Sequence, residues 1–300
     1  MYVLNQFQWF LIFDDRFRYN AAMLNATAYP PLDLTTLQTW WSQHSQASTS
    51  LAIKYQAQCD STNAQLYRST RQHNTLLVAE QQSHGKGQFE RAWVSQAGDL
   101  IFSLGLLLPS TALPALSLRV GLALRQVFAL QNLSIQLKWA NDLIATHPDT
   151  AQRGKLAGIL VQTLPVTSDD AWVVIGIGVN VAARWLPFNA TQSAFPPIGL
   201  AQLSETWISP KVGARDALLM QLVDTVLVHI ETATLQNELP SAWSEYDLWR
   251  NTPVTLTDPQ GIEHHGIGVG INANGEYQID SAGQVLSFHS GQLRARQESR

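Results

Sequence analysis

A single cysteine, Cys59, stands in 300 residues. A lone thiol excludes an internal disulfide framework and suits a reducing compartment; its expected place is a buried small apolar site. Charge is scarce as well. Charged residues make up 14% of the chain and the formal net charge is −4, which argues against a generally basic nucleic-acid binder. Long apolar runs are missing too: "FQWFLIF" (7–13) is too short to cross a bilayer. No basic residue precedes it and Asp14 and Asp15 follow, so it does not read as a secretory signal. Residues 1–22 read instead as an extension ahead of Met23. The eight histidines are too scattered for a metal site, and His264 and His265, if on a strand, face opposite sides. Against these absences, 45% hydrophobic residues suffice for a folded chain. The length allows one large core and a small satellite domain.

Periodicity places the elements. Residues 33–44 predict a short helix with Asp33 as N-cap. Residues 50–58 alternate as a strand, and the polar cluster after them holds Ser61 or Thr62 as the cap of a second helix. Residues 75–82 and 99–109 read as buried strands. Residues 115–130 are apolar around much of a helix and predict a well-buried one. Residues 134–142 read as one strand ending in polar residues, with Trp139 turned to the core. "KLAGILVQTLP" and "AWVVIGIGVNV", joined by "VTSDD", predict an antiparallel hairpin. Leu218, Leu219, Leu222, Val223, Val226, Leu227 and Ile230 share helical spacing within 213–232, a stripe that predicts core. Beyond 251–253 the pattern becomes short strands broken by Pro-Gln-Gly, Asn-Gly and Ala-Gly turns, which predicts a small β-barrel separate from the main body.

Five polar clusters stand at the ends of these elements: "STN" (61–63), "GKGQFER" (85–91), "KWAND" (138–142), "GKLAG" (154–158) and "GIGVN" (176–180). Singly, each is a cap, a turn or a strand end. "GIGVN" is no dinucleotide fingerprint, because no third glycine and helix follow at the required offset.

In this order the clusters resemble the catalytic domain of biotin protein ligases, whose string runs STN, GRGRxGR or GRGRxNR before a Trp, KWPND, KLAGIL and GxGxN. The resemblance covers about residues 50–185 by motif and reaches 292 by architecture. It implies an α+β fold: a mixed, largely antiparallel sheet flanked by helices, of the class II synthetase-like type, followed by an SH3-like β-barrel. The implied division is 1–32 as an N-terminal extension, 33–248 as the catalytic domain and 249–300 as the barrel.

The implied activity is a cytoplasmic one in two steps. ATP, with Mg²⁺, activates biotin as biotinyl-AMP, and the acyl group then passes to a lysine of the biotin carboxyl carrier protein domain of acetyl-CoA carboxylase. No metal site of protein origin is implied. A carboxylate attacking a polyanion needs cations and N–H donors. Lys86, Arg91, Lys138 and Lys155 supply them. By the resemblance Lys155 bridges the biotin carboxylate and the α-phosphate. Asn141 bonds the nucleotide, and Asp142 orients or deprotonates the acceptor lysine. Ser61, Thr62, Asn63 and Gln82 hold the ureido ring, Gly158 lets ligand approach Lys155, and Asn180 and Trp93 surround the adenylate. Gly85, Lys86, Gly87 and Gln88 form the loop that covers it.

This chain departs from the family pattern in that loop. Lysine stands for the first arginine and glutamine for the second, which loses one charge and one bidentate fork. Ala140 replaces a proline, a rigidity change without loss of a functional group. Sixty residues precede "STN", too few for a DNA-binding domain besides the start of the catalytic one, so a ligase without repressor function is expected. DNA and membrane partners are not implied, and both monomer and homodimer stay open. Two other readings remain at this stage: a lipoate or octanoate ligase on the same fold, and a non-catalytic biotin-binding regulator.

Overall fold

The computed structural model describes residues 29–71, 73–184, 194–232 and 235–296; the extension 1–22 and its boundary at Met23 lie outside the described residues. The main body runs α1 (Leu34–His44), β1 (Ala52–Cys59), α2 (Thr62–Arg68), β2 (Thr75–Gln82), β3 (Leu100–Pro109), α3 (Leu116–Ala129), β4 (Ile135–Lys138), β5 (Asp142–Thr146), β6 (Arg153–Pro165), β7 (Asp170–Val179), α4 (Leu200–Leu203), α5 (Ala214–Glu231) and α6 (Leu235–Ser244). The caps are as read: Asp33 accepts from the Thr36 amide, and Ser61 from that of Ala64. Cys59 is buried.

Seven strands form one mixed sheet in the order β1-β2-β3-β7-β6-β5-β4. The β1–β2 pair is parallel, bridged by α2, and the other pairs are antiparallel. The stripe on α5 is buried, as are most apolar positions of α3. These two helices pack on each other, and α3 packs on β4, β5 and β6; both contribute to the large hydrophobic core. The other face carries α2 and a smaller cluster of Leu66, Leu77, Trp172 and Val174.

A second sheet holds β8 (Pro253–Thr257), β9 (Glu263–Ile271), β10 (Tyr277–Ser281), β11 (Gln284–Phe288) and β12 (Gln292–Ala295), in the order β11-β10-β9-β8-β12, antiparallel throughout. The turn chemistry predicts this region, and its apolar side chains continue the core of the main body. Val254, Leu256, Ile271, Tyr277, Ile279 and Leu293 belong to the same apolar core as the main body. Trp139 explains the continuity: its indole N–H donates to the Gly275 carbonyl at 3.1 Å and its ring lies 5.7 Å from that of Tyr277.

The expected strand 134–142 is two strands. β4 stops at Lys138, the chain turns through Trp139–Asn141, and β5 leaves at Asp142, with Lys138 and Asp142 as the closing pair. Asn141 stabilises the turn from the side, since its amide nitrogen donates to the Ile159 carbonyl at 2.9 Å. Trp139 is core, as expected, but through a turn rather than strand alternation.

Asp247 joins the two sheets. Its carboxylate accepts from the Tyr277 hydroxyl at 3.1 Å and from the Trp249 amide at 3.0 Å. Burial pushes its pKa up to about 6 from an ordinary 3.8, despite those donors. The fold therefore holds more protons than the unfolded chain between these values, and this group's contribution is lost as pH rises through them. Wild type should lose about 2 kcal/mol relative to Asp247→Asn between pH 4 and 7. Parallel urea titrations check this, and equal pH slopes in the two proteins would exclude it.

Candidate active site

On β7, Ile175, Ile177 and Val179 enter the large core, so Gly176 and Gly178 occupy the opposite face. Glycine at alternate positions strips that face of side chains, and a cleft opens there. Its inner part is bounded by Ser61, Thr62 and Asn63 of the α2 cap, Gln82 at the end of β2, Ser103 and Gly158. Its outer part lies against the β4–β5 turn and includes Arg91, Lys138 and Asp142. Gly87, Gln88, Trp93, Asn141 and Lys155 line both parts. Lys86 lines the inner part.

A β-bulge aims Lys155. Leu143 pairs with Ala157 and Ile144 with Lys155, which leaves Leu156 as the extra residue. An extra residue restores the face after an odd step. Lys155 and Gly158, three positions apart, thus address the same cleft, and a Cβ on Gly158 would stand 3.1 Å from the Lys155 ammonium nitrogen. The Leu156 carbonyl displaced by the bulge is taken up by the Asn180 amide at 2.9 Å.

Two ammonium groups converge on one carboxylate. Lys155 Nζ lies 2.6 Å from Asp142 Oδ1, and Lys138 Nζ 3.3 Å from Oδ2. Burial alone would push the Asp142 carboxyl up. Lys155 and then Lys138 outweigh it, and the net pKa falls below the ordinary value. Asp142 is therefore ionised at neutral pH.

The inner wall is polar and partly satisfied. Gln82 Oε1 accepts from the Thr62 amide at 2.8 Å and from its hydroxyl at 3.2 Å, and that hydroxyl lies 2.8 Å from Ser103 Oγ. Asn63 donates its Nδ2 to the Leu160 carbonyl at 3.2 Å. Its buried Oδ1 has no partner among the described residues, so this acceptor is available to a donor in the cleft.

Trp93 roofs the junction of the two parts. Its ring lies 5.4 Å from the Lys155 ammonium and rests on Gly178 and Gly158. A methyl on Gly178 would overlap the indole. Gly178→Ala should cost about 1–3 kcal/mol through this overlap, and much less in a Trp93→Ala background. Thermal melts of the four proteins in the cycle check the coupling, and additive losses would refute it.

The 85–93 loop closes as a narrow hairpin. The Trp93 amide donates to the Gly85 carbonyl at 2.9 Å and the Gly87 amide to the Arg91 carbonyl at 2.7 Å. Lys86 and Arg91 are exposed on it, whereas Gly85 is buried at its stem and lines neither part of the cleft.

Asn180 lies outside the cleft lining. It is 3% exposed, donates to the Lys155 carbonyl at 2.9 Å and accepts from Arg184 at 2.7 Å. In this arrangement it positions Lys155 rather than facing a ligand. Arg184 in turn pairs with Asp99, which is fully buried. The sequence singles out "GIGVN" without a role for Gly176 and Gly178, and Ser103, Asp99 and Arg184 are not found from it; Asp99 and Arg184, 85 positions apart, carry no local signal.

Known proteins resemble this chain in sequence and fold. The family model described as "Biotin/lipoate A/B protein ligase family" matches residues 38–180. The bifunctional ligase/repressor BirA of Escherichia coli (strain K12) is 31% identical over 224 residues, 73% of this chain and 65% of that protein. The biotin–[acetyl-CoA-carboxylase] ligase of Mycobacterium tuberculosis (strain ATCC 25618 / H37Rv) is 26% identical over 249 residues, 79% of this chain and 86% of that one. The chain thus spans slightly less than two thirds of the length of the Escherichia coli relative. Among solved structures, the Aquifex aeolicus biotin protein ligase in complex with biotin and ATP shares the fold at a TM-score of 0.64. That likeness has 24% identity and covers 82% of this chain and 99% of that one. The matched segment contains α2, the cleft loop, the β4–β5 turn, Lys155 and the glycines of β7, and over residues 38–180 the chain is similar to the biotin/lipoate A/B protein ligase family.

Proposed function

We propose that this chain is an ATP-dependent biotin protein ligase. The observation that carries the reading is the position of Lys155, which stands where the inner and outer parts of the cleft meet. A carboxylate held in the inner part and an α-phosphate in the outer part would both lie within its reach. The carboxylate oxygen attacks the α-phosphorus, the bond to the bridging oxygen breaks, and pyrophosphate leaves. Lys155 stabilises the charge shared between the two reactants. Mg²⁺ would arrive on the phosphate oxygens of ATP, which are hard ligands for it.

The inner wall suits a ureido ring. The free Asn63 Oδ1 matches a ring N–H, and the Thr62–Ser103 hydroxyl pair can donate to the ring carbonyl. Ile101 and Leu160 give the ring's apolar body a surface. Asp142 serves the second step. When Lys155 turns from Asp142 to the substrate, the carboxylate keeps only Lys138 and its pKa rises. It then becomes a better acceptor for the proton of an incoming lysine ammonium. That amine attacks the acyl carbon, and AMP leaves.

Incubation with ATP and biotin, lipoate or octanoate, together with a biotin carboxyl carrier domain, tests the assignment by mass. Biotin on the carrier is expected. Acylation by lipoate or octanoate instead would transfer the assignment to that branch, and binding of biotin without turnover would leave a regulator. The loop makes a narrower prediction. With Lys86 and Gln88 where the related enzymes carry arginines, the adenylate should escape faster than from a Lys86→Arg/Gln88→Arg variant. Equal release rates, followed by rapid filtration, would count against it.

A further inference from the structure

A second cavity lies away from the cleft, among the helices that cover the other face of the main sheet. It measures about 210 Å³ and is bounded by α3, α5, α6 and Tyr246. Leu122, Leu239 and the Tyr246 ring form its apolar wall, and Arg119, Arg125 and His229 bring three basic side chains to it.

Arg119 is the unusual member. It is 1% exposed. Its Nη2 donates to the Ala112 carbonyl, whereas its Nε and Nη1 have no partner among the described residues. Among the described residues neither Arg119 nor Arg125 pairs with a carboxylate. Burial accordingly pushes the Arg119 guanidinium below its ordinary value. Arg125 lies over the Tyr246 ring, 3.4 Å from its centroid, with its own Nε buried and unpartnered among the described residues. His229 turns Nδ1 to the Thr225 carbonyl at 2.9 Å, which leaves Nε2 as its second polar atom. Burial, and then Arg119, hold its pKa down. Glu245 is exposed and approaches the Tyr246 hydroxyl rather than either guanidinium.

A desolvated guanidinium with no counter-charge is costly. An anion offsets that cost best when it can take two N–H bonds from one fork, as a carboxylate does. The leucine and tyrosine wall favours an apolar body behind the charge over a fully hydrated inorganic anion. We propose that this cavity binds a small organic carboxylate, with the charged end against Arg119 and Arg125 and the apolar end against Leu122 and Leu239. The site is independent of the ligase cleft and of the function proposed for it.

Melting curves and calorimetric titration with hexanoate, its uncharged isostere hexanamide and inorganic phosphate test the proposal. Hexanoate should raise the melting temperature of the wild type, and equally that of Lys155→Met, in which the cleft has lost its bridging cation. Hexanamide and phosphate should not. Arg119→Met should melt at or above the wild type, since an uncompensated buried charge has gone, and should no longer respond to hexanoate. Arg125→Met, altered nearer the rim, should weaken the titrated affinity at least tenfold. The proposal fails if hexanoate leaves the wild type unchanged, or if Arg119→Met and Arg125→Met both respond like the wild type. It also fails if hexanamide or phosphate acts as strongly, or if the response disappears in Lys155→Met, which would place hexanoate in the cleft.

Discussion

Lys155→Met should reduce biotinyl-adenylate formation about a hundred- to thousand-fold or more, measured as pyrophosphate exchange at saturating biotin and ATP. Methionine keeps the apolar stem that lies against Trp93 and Gly158, so the loss is one of charge rather than packing. The fold should survive with a modest cost. Asp142 would retain Lys138 at 3.3 Å but lose the closer cation. Its depressed pKa contributes stability above its unfolded value, and that contribution is lost as pH falls through the folded one. The variant should therefore hold less of this contribution near neutral pH and lose it at higher pH during acidification. Lys155→Arg separates charge from shape: it should keep most of the stability and the Asp142 pairing, yet recover little of the rate, because a planar fork does not reproduce a compact ammonium on a bulged strand. Turnover by Lys155→Met within tenfold of wild type would remove Lys155 from the chemistry.

The sequence carries most of the elements because their signals are local. β2 occupies the span read for it, and the α5 stripe is buried at every position named. The site was legible as an ordered string, since each cluster ends an element and the sheet brings those ends together. What stayed hidden depends on register and on partners far along the chain. Leu156 looks like any strand leucine; only the pairing of β5 with β6 makes it the bulge that turns Lys155 toward the cleft. "KWAND" reads as a strand end because its polar residues finish a β-run, and the return strand follows without a glycine or proline to mark the turn. Asn180 follows the run of β7 and looks free, but Arg184 and the Lys155 carbonyl occupy both ends of its amide. Arg119 reads as one more position of an apolar helix, since one arginine among leucines gives no hint of whether it reaches water.

Asp99→Asn should destabilise the protein by about 3–5 kcal/mol, a fall in melting temperature of roughly 10 °C for a chain of this size. Asp99 is fully buried and its carboxylate is surrounded by donors. One oxygen accepts from the Gln96 amide at 2.7 Å and from the Arg184 guanidinium, the other from the Val181 amide at 3.0 Å. An asparagine would turn its NH₂ toward one of these donors and leave the buried Arg184 without a counter-charge. The damage should extend to the cleft. Arg184 holds Asn180, Asn180 holds the Lys155 carbonyl, and the Asn180 amide caps the bulge at Leu156. Lys155 would keep its charge but lose its fixed origin. Below the melting transition the variant should therefore show a fall in kcat larger than its change in KM for biotin, as expected when groups acting only at the transition state lose their alignment. The double variant Asp99→Asn/Arg184→Met should be less destabilised than the two single losses combined, by about 1–3 kcal/mol, because it strands no charge. Strict additivity would mean that the two residues act independently. An unchanged kcat in a destabilised Asp99→Asn would confine the pair to the fold and detach it from the positioning of Lys155.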